Sequence, residues 1–328
     1  MVIVSNFADF PERWISSSGE QGRSLYAATA VEFLERRKEP DAVFLINCDP
    51  PLTYRLAAES LVPLRAFPSL VSVDIVLRPP TGLSQQLLLP LRRFLFSRID
   101  HYIHYFRDLR KLKSVYGIGP DRSSFIPFKP NLSDHNRAEP CSDGAYVLAF
   151  GRSMRDFDTF LEAMEMLPQY PGAITPPALA QLPQHCGRFS RPLDQLPPNV
   201  RCLDYDLSEA AEIRVLRGAK IVVVPILKTS LVSAGISVCL NSLWLGKCVI
   251  GSEGPGMLDV FTGGEILTVP PEDPAALAAM IRRVWEDDEL RRRTAAAGHA
   301  YALRIGGTKE LYARIIDQVA AWWRTRAH

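Results

Sequence analysis

Short apolar runs alternate with helix-like stretches along nearly the whole chain, and this alternation restricts the fold more than any other feature. The runs predicted as strands are residues 2–4, 43–46, 71–77, 102–105, 125–127, 146–150, 200–203, 221–224, 248–250 and 266–269. The stretches predicted as helices are residues 24–38, 87–96, 156–166, 208–217, 238–245, 274–285 and 288–301. Strands separated by helices form parallel sheets with helices on both faces. The sequence therefore predicts an α/β fold.

A polar stretch at residues 128–144 interrupts the alternation and is rich in Pro, Asn, Asp and Ser. We interpret it as a linker between two doubly wound, Rossmann-like domains that face a cleft, residues 1–135 and 143–308. A length of 328 residues fits two domains of about 150 residues each. Residues 309–328 form a last helix with adjacent Trp322 and Trp323, and we expect it to pack back on the first domain.

The composition excludes several classes of protein. A net charge of +2 gives no broad basic field, so no nucleic-acid partner is expected. No run approaches the ~18 uncharged apolar residues of a membrane-spanning helix, and residues 1–7 are predicted as a first strand rather than a signal peptide. Six cysteines are scattered without a Cys-x-x-Cys pair, which is typical of a reduced, cytoplasmic protein.

One candidate anion site follows the strand predicted at 146–150. Gly151 allows a tight turn, and Arg152 and Arg155 come just before the next helix. A helix amino terminus already favours an anion, and two arginines suit a diphosphate that they can bind bidentately. The alternative is that these arginines only form ion pairs with Asp156 or Asp158 at the start of the helix.

A second candidate site follows the strand predicted at 221–224. Small and polar residues occupy the loop and the start of the helix after it: Ser230, Ser233, Ala234, Gly235, Ile236, Ser237 and Asn241. Small side chains allow a ligand close to backbone amides, as phosphate sites require. Another glycine-rich loop follows at 251–256. Ligands of open α/β sheets bind at the carboxyl ends of strands, so the second half predicts a nucleotide-type pocket.

The second half resembles the donor domain of GT-B glycosyltransferases, closest to the retaining enzymes of family 4. The similarity rests on Gly151-Arg152 after a strand, on residues 241–250, which match the family's Ala-Met-Ala-x-Gly-Lys-Pro-Val-Ile element, and on the tail at 271–291. It covers about residues 146–301. The resemblance implies a hexosyltransferase that uses a nucleotide-diphosphate sugar of the UDP or GDP type. It implies a hydroxyl acceptor in glycan, polysaccharide or glycolipid synthesis, retention of configuration, and no metal or other cofactor.

In this resemblance Arg152, Arg155 and Lys228 would neutralise the departing diphosphate. The chain departs from the family at its Glu-x7-Glu element, where Ser233 and Asn241 replace the two glutamates. By resemblance the first glutamate touches the transferred sugar and the second holds the ribose hydroxyls, a contact that Asn241 can still make. Because both glutamates are lost, a second interpretation stays open, in which the protein is a non-catalytic GT-B scaffold that binds a nucleotide or a partner protein. A nucleotide-sugar epimerase would need carboxylate and histidine pairs that the sequence does not place.

The first half carries weaker signals for the acceptor side. The loop at 8–22 contains Gly19 and Gly22 and follows the first strand, and Asp74 and Arg78 lie at the end of the strand predicted at 71–77. All four are predicted to face the cleft. An ordinary glycine-containing connection explains the loop equally well.

Basic and aromatic residues are concentrated at 92–113. Seven basic residues stand against two acidic ones: Arg92, Arg93, Arg98, Arg107, Arg110, Lys111 and Lys113. One interpretation is peripheral binding to an anionic membrane, on its inner face, where a lipid-linked acceptor is met. The other is a solvated helix face whose arginine stems cover apolar surface.

Two further patterns predict no metal site. Asp204-Tyr205-Asp206 has an Asp-x-Asp form but lies in a predicted connecting loop. His101 and His104 are predicted on opposite faces of a strand, as structural histidines.

Overall fold

The structure is a computed structural model that describes residues 1–62, 67–133 and 144–326. The chain divides into two compact units, residues 1–127 with 309–328, and residues 128–308. The centre of the predicted linker, residues 134–143, lies outside the described residues. No helix in the described ranges is both long and apolar enough to span a membrane.

The first unit is built on a seven-stranded sheet. Its strands are β1 (Val2–Ser5), β2 (Arg13–Ile15), β3 (Gln21–Tyr26), β4 (Ala42–Asn47), β5 (Ser69–Val73), β6 (His101–His104) and β7 (Ser123–Phe125). Their order across the sheet is β2-β3-β1-β4-β5-β6-β7. All neighbours are parallel except β2 and β3, which form an antiparallel hairpin at one edge. The central strands β1 and β4 are almost fully buried, as strands covered on both faces must be.

Helices pack on the first sheet, and one of them comes from the end of the chain. They are α1 (Ala30–Glu35), α2 (Pro50–Glu59), α3 (Leu83–Leu87), α4 (Leu89–Ser97), α5 (Arg110–Tyr116) and the terminal α12 (Thr308–Arg326). The Gln318 amide donates to the Ser124 hydroxyl (2.8 Å), and Arg326 forms an ion pair with Asp100 (2.9 Å). These bonds attach α12 to strands of the same unit.

The second unit contains a six-stranded, entirely parallel sheet. Its strands are β8 (Tyr146–Ala149), β9 (Gly172–Ile174), β10 (Val200–Cys202), β11 (Ala219–Val224), β12 (Cys248–Ser252) and β13 (Leu267–Val269). Its helices are α6 (Phe157–Glu165), α7 (Ala178–Gln181), α8 (Glu209–Arg217), α9 (Ile236–Trp244), α10 (Pro274–Glu286) and α11 (Asp288–Ile305). The main core packs α6 and α10 against β8, β11 and β12. Both units are doubly wound, as predicted.

The strand order of the second unit is β10-β9-β8-β11-β12-β13, so the chain moves outward from β8, then crosses to β11 on the other side. The neighbours β8 and β11 therefore flank the point at which the winding reverses. Loops after two such strands diverge and leave a crevice, which is where ligands of doubly wound sheets bind. The two candidate loops from the sequence follow these two strands.

The helix predicted at 24–38 is wrong in its first part. Residues 21–26 form β3, and the helix begins only at Ala30, with Thr29 as its amino cap. A β-carbon on Gly22 would lie 2.1 Å from the Trp14 ring, so the hairpin is stabilised by a packing contact between residues eight apart. The helices α2 and α5 and the strand β9 were not predicted.

Candidate functional site

A cavity of about 240 Å³ opens at the carboxyl ends of β8 and β11. Its lining comes from four places in the second unit, namely the loop after β8, the start of α9, the loop before α8 with α8 itself, and the segment before β8. The lining residues are Asn131, Phe150, Gly151, Arg152, Ser153, Arg155, Tyr205, Glu212, Gly235, Ser237, Val238 and Asn241. The structure therefore brings together six of the predicted donor-site residues.

The Arg155 guanidinium is packed between the two glycines of the candidate loops. A β-carbon on Gly151 would lie 2.3 Å from Arg155 Nη2, and one on Gly235 would lie 3.3 Å from Arg155 Nη1. Both glycines also have left-handed backbones, with φ of 110° and 115°. Glycine is needed at both positions for the turn. At Gly151 it also leaves the space that the Arg155 guanidinium occupies, whereas a β-carbon at Gly235 would first meet Val224 Cγ1, at 2.8 Å.

Arg155 is the largest of the almost fully buried side chains in the described ranges, at 2% exposed. Its Nε donates to the Phe150 carbonyl (2.8 Å) and its Nη1 to the Ser153 carbonyl (2.7 Å). Burial, chiefly, and the nearby Arg152 lower the pKa of Arg155 to about 10. The guanidinium therefore stays charged at neutral pH, fixes the loop after β8 and contributes a positive charge to the cavity.

Arg152 is exposed and forms no hydrogen bond or ion pair with any residue in 1–62, 67–133 or 144–326. The carboxylate of Asp156 instead binds Arg188 through both oxygens, at 2.9 and 2.6 Å, and Asp158 accepts from Ser190. The alternative, in which Arg152 and Arg155 pair with these two carboxylates, is therefore wrong. Arg152 is available to a ligand.

The first turn of α9 forms part of the cavity wall. Gly235 caps the helix without a side-chain hydrogen bond, and Ser237 and Val238 of the first turn line the cavity. Unpaired N–H groups at a helix start attract anions, and here they lie beside two arginines.

Five other predicted residues do not line this cavity: Lys228, Ser230, Ser233, Ala234 and Ile236. Lys228 is exposed, and its backbone N–H points to Glu272 (3.4 Å). The Ser230 hydroxyl donates to the Val232 carbonyl (2.8 Å), which folds the loop on itself. Ser233 is buried against Gly256, where an added β-carbon would meet its Cβ at 2.4 Å. These residues shape the loop behind the cavity.

Asn241 lines the cavity but its amide is already engaged. Its oxygen accepts from the Asn131 backbone N–H (2.7 Å), and its nitrogen donates to Glu212 Oε1 (2.6 Å). Asn241 therefore contacts a second cavity residue, Glu212, which sequence reasoning missed, and a direct role for Asn241 in holding a ribose stays a prediction. Burial raises the pKa of Glu212, while hydrogen bonds from Asn241 and Tyr205 and the charge of Arg152 oppose this shift. Nothing in the sequence marks which face of α8 turns toward β8, so no signal identified Glu212.

The acceptor-side predictions have mixed outcomes. Gly22 lies in β3 beneath the Trp14 ring, so packing accounts for a glycine here, and its contact with a ligand stays a prediction. Gly19 has φ of 90° in the hairpin turn. Asp74 directly follows β5 with a left-handed φ of 47°, and burial raises its pKa to about 7. The Arg78 carbonyl accepts from the Tyr116 hydroxyl. A role for Asp74 and Arg78 in acceptor binding stays a prediction.

The basic segment at 92–113 adjoins a row of exposed apolar side chains. The exposed residues on α3 and α4 are Leu83, Leu87, Leu88, Leu91 and Phe94, of which Leu83 and Leu87 are more than 80% exposed. Arg93 caps the end of α5 by donating to the Ser114 and Val115 carbonyls, and Arg107 lies 3.8 Å over the Phe125 ring. Arg98, Lys111 and Lys113 are exposed.

Residues 196–300 match the family model for group 1 glycosyl transferases. No curated protein matches the chain in sequence. Among solved structures, HepE from Anabaena in complex with UDP and glucose has a TM-score of 0.67 at 14% identity, covering 91% of this chain and 86% of HepE. Sucrose-phosphate synthase from Thermosynechococcus elongatus has a TM-score of 0.63 at 16% identity, with 99% and 89% covered. A glycosyltransferase from Rickettsia africae has a TM-score of 0.63 at 11% identity, with 89% and 80% covered.

These comparisons confirm the predicted fold, two Rossmann-like domains of the GT-B class. The family match, which includes α8, α9 and β12, confirms the expectation of a glycosyltransferase domain. The finer resemblance, to retaining family 4 enzymes with a lost Glu-x7-Glu element, stays a prediction.

Proposed function

We propose that this protein transfers a sugar from a nucleotide-diphosphate donor to a hydroxyl acceptor. The observation that carries the proposal is the cavity at the winding reversal of the second sheet, where Arg152 and Arg155 meet the amides that begin α9. A diphosphate matches this set, since two guanidinium groups and a helix start supply several charged or dipolar donors. The UDP in the complexes of Anabaena HepE supports a donor of this class.

Each group of the cavity has its own part in the proposed donor site. Arg155 is fixed by two carbonyls and holds the loop after β8, so it provides charge from a rigid position. Arg152 is exposed and approaches the diphosphate from the open side. We propose that these arginines, and not a metal ion, neutralise the diphosphate.

The reaction that this arrangement favours is stabilisation of a leaving group. The bond between the anomeric carbon and the β-phosphate oxygen breaks, and its electron pair stays on that oxygen. A bond forms between the anomeric carbon and the acceptor oxygen, and the acceptor proton passes to the departing phosphate. Charge grows on the phosphate as the bond breaks, so pre-positioned arginines stabilise the transition state more than the bound donor. Retention of configuration belongs to this proposal.

A thermal-unfolding screen tests the donor site. Wild-type protein is heated with UDP, GDP, ADP and their sugars, and at 100 times its dissociation constant a ligand adds about 2.7 kcal/mol of stability. We expect a shift with one nucleotide family. Arg152→Gln should weaken that ligand about 10-fold to 150-fold, since a hydrogen bond to a charged group contributes about 1.5–3 kcal/mol.

Arg293→Gln is the matched control, because Arg293 is exposed on α11 in the same unit and does not line the cavity. It should bind as wild type does. If no nucleotide shifts the transition, the donor proposal is wrong. If nucleotides bind but Arg152→Gln and Arg293→Gln behave alike, the cavity is not the diphosphate site.

For the acceptor side, we propose that the surface formed by α3, α4 and α5 binds an anionic membrane that presents a lipid-linked acceptor. Leu83, Leu87 and Leu91 follow each other at intervals of four residues and are all exposed. Apolar side chains beside exposed Arg98, Lys111 and Lys113 match a membrane interface, where acyl chains lie next to anionic headgroups.

Co-sedimentation with vesicles of phosphatidylglycerol and phosphatidylcholine tests this surface. Wild type should sediment with the anionic vesicles and less so as salt rises, because each basic residue near the surface contributes about 1 kcal/mol. Leu83→Ser with Leu87→Ser should abolish sedimentation. The control pair Leu182→Ser with Leu193→Ser, at exposed leucines of the second unit, should not. Equal sedimentation of both pairs would contradict the proposal.

A further inference from the structure

A cavity of about 360 Å³ lies in the first unit, at the amino ends of β5 and β6. Ligands of doubly wound sheets bind at the carboxyl ends of the strands, so the proposed sugar transfer gives this cavity no role. Among the described residues that line it, four carry a charge: Arg98, Asp100, Arg122 and Arg326. Three arginines against one aspartate make the cavity basic, so its ligand should be an anion.

The aspartate of this cavity is neutralised by Arg326, and both of its carboxylate oxygens have partners. Asp100 Oδ1 forms an ion pair with Arg326 (2.9 Å), and Asp100 Oδ2 accepts from the Leu70 backbone N–H (2.8 Å). The pair fixes the end of α12 at one wall of the cavity. The net positive charge that a ligand meets therefore comes from Arg98 and Arg122.

Arg122 is anchored by the end of α4 and keeps part of its guanidinium for a ligand. Its Nη1 donates to the Phe96, Ser97 and Ile99 carbonyls (3.3, 3.2 and 2.9 Å), which offsets the negative end of the helix dipole. Its Nε lies 3.9 Å from exposed Asp121, and its Nη2 has no partner in the described part of the chain. The side chain is 26% exposed, so the guanidinium is fixed in position without being closed off from solvent.

Arg98 connects the cavity to the exposed apolar row of α3 and α4. It is exposed and has no hydrogen bond or ion pair within the described ranges. Its backbone is still helical, with φ of −82° and ψ of −11°, so it continues the face of α4 that carries Leu91 and Phe94. These two apolar side chains are 53% and 52% exposed. At a rise of about 1.5 Å per residue, Leu91 lies about 10 Å from Arg98 along the helix.

We propose that this cavity binds the phosphate of an anionic phospholipid, whose acyl chains lie along the exposed apolar row of α3 and α4. The inference rests on the proposed binding of this surface to an anionic membrane. Arginine suits a lipid phosphate because its planar N–H groups can reach two phosphate oxygens at once. The apolar row alone would fit any apolar partner, whereas a row that ends at a basic cavity matches a molecule with apolar chains and an anionic head.

Vesicle binding with a charge-matched control tests the inference. Co-sedimentation with vesicles of phosphatidylglycerol and phosphatidylcholine gives the partition coefficients of wild type, Arg98→Gln and Lys113→Gln. Lys113 is exposed on α5 and does not line the cavity, so its replacement removes one charge from the same surface. That should weaken binding about 5-fold, since a basic residue near an anionic membrane contributes about 1 kcal/mol. Arg98→Gln also removes hydrogen bonds between charged groups and should weaken binding about 10-fold to 150-fold.

Soluble ligands identify the source of the phosphate. Wild type is titrated calorimetrically with monomeric dihexanoyl-phosphatidylglycerol, with dihexanoyl-phosphatidylcholine and with inorganic phosphate. The anionic lipid should bind about 10-fold or more tightly than the other two, because only this ligand combines a net negative headgroup with acyl chains. Arg98→Gln and Leu91→Ser should each weaken it, whereas Leu193→Ser, at an exposed leucine of the second unit, should not. Since Arg98 has no partner to lose, Arg98→Gln should unfold at the wild-type temperature.

The outcomes separate this inference from the proposed membrane binding. If Arg98→Gln and Lys113→Gln weaken vesicle binding equally, the cavity is not a headgroup site, and membrane binding by the surface still stands. If inorganic phosphate binds as tightly as the short-chain anionic lipid, the cavity takes a soluble phosphate and the lipid assignment is wrong. If wild type does not sediment with anionic vesicles at all, the membrane proposal is wrong, and this inference with it.

Discussion

Replacing Gly151 with alanine should destabilise the second unit by more than the backbone strain alone. The new β-carbon would meet three atoms of the Arg155 guanidinium, at 2.3, 2.4 and 2.6 Å. Contacts this short force the guanidinium away from the Phe150 and Ser153 carbonyls. The backbone strain of an L-residue at a φ of 110° should lower the free energy of unfolding by about 1–2 kcal/mol. Each hydrogen bond of the charged guanidinium that is broken should lower it by about a further 1.5–3 kcal/mol.

A double-mutant cycle isolates this contact. In an Arg155→Ala background the clash is absent, so Gly151→Ala should cost only the backbone strain of about 1–2 kcal/mol. The coupling free energy between the two positions should therefore reach about 2–4 kcal/mol, well above the value for independent sites. The free energy of unfolding is measured by urea denaturation, and hydrogen exchange of the β8 and β11 amides localises the effect to the second unit.

The result that refutes this reasoning is additivity. If Gly151→Ala costs the same in the wild-type and Arg155→Ala backgrounds, the guanidinium does not occupy the space beside Gly151. Arg152→Ala is the matched control, since Arg152 is exposed and should show no coupling with Gly151.

Two further predictions concern the first unit. Gly22→Ala should lower the unfolding temperature of the first unit far more than Gly82→Ala, because a β-carbon at Gly22 meets the Trp14 ring, whereas at Gly82 no described atom lies within 4 Å and the φ of −122° suits alanine. Equal shifts in thermal unfolding would contradict this packing. Burial lowers the pKa of His101 to about 4 and that of His104 to about 3. The unfolded chain, in which a histidine has a pKa near about 6.5, therefore binds protons before the folded protein does. The stability that the two neutral histidines contribute is complete above about pH 6.5 and is lost as the pH falls. Urea denaturation should show a loss of up to about 1.4 kcal/mol per pH unit for each histidine below pH 6.5, and the slope should flatten when both are replaced by asparagine.

The sequence predicts the two doubly wound units because a parallel strand buried on both faces needs a continuous apolar run. The runs at β4, β8 and β11 show this pattern, and helical periodicity identifies α6, α8, α9 and α10. The prediction failed where a distant contact decides the structure. Residues 21–26 are mixed in polarity, and the Trp14 ring above Gly22 makes them a strand. The helix α2 did have a local signal, Asp49 followed by two prolines, which was overlooked.

The candidate site shows the same limit. Gly151, Arg152 and Gly235 were predictable because turn glycines and helix starts after strands have local sequence patterns. The division of roles between Arg152 and Arg155 was not, since only the structure shows that Arg155 donates to two carbonyls. Glu212 was missed because it reaches the cavity from a helix whose orientation depends on packing, and Asn241 alone indicates nothing about its partner.

The central claim is that Arg152 and Arg155 serve a sugar transfer, and turnover tests it most directly. Wild type, Arg152→Gln and the Arg293→Gln control are incubated with the nucleotide sugar that shifts thermal unfolding, together with phosphatidylglycerol vesicles carrying a lipid-linked glycan extract. Release of nucleoside diphosphate is then quantified. We predict release by wild type and the control, and a kcat/KM about 100-fold to 1,000-fold lower for Arg152→Gln, as for loss of one transition-state donor. Release at the same rate by all three proteins, or none above a protein-free blank, would contradict the account.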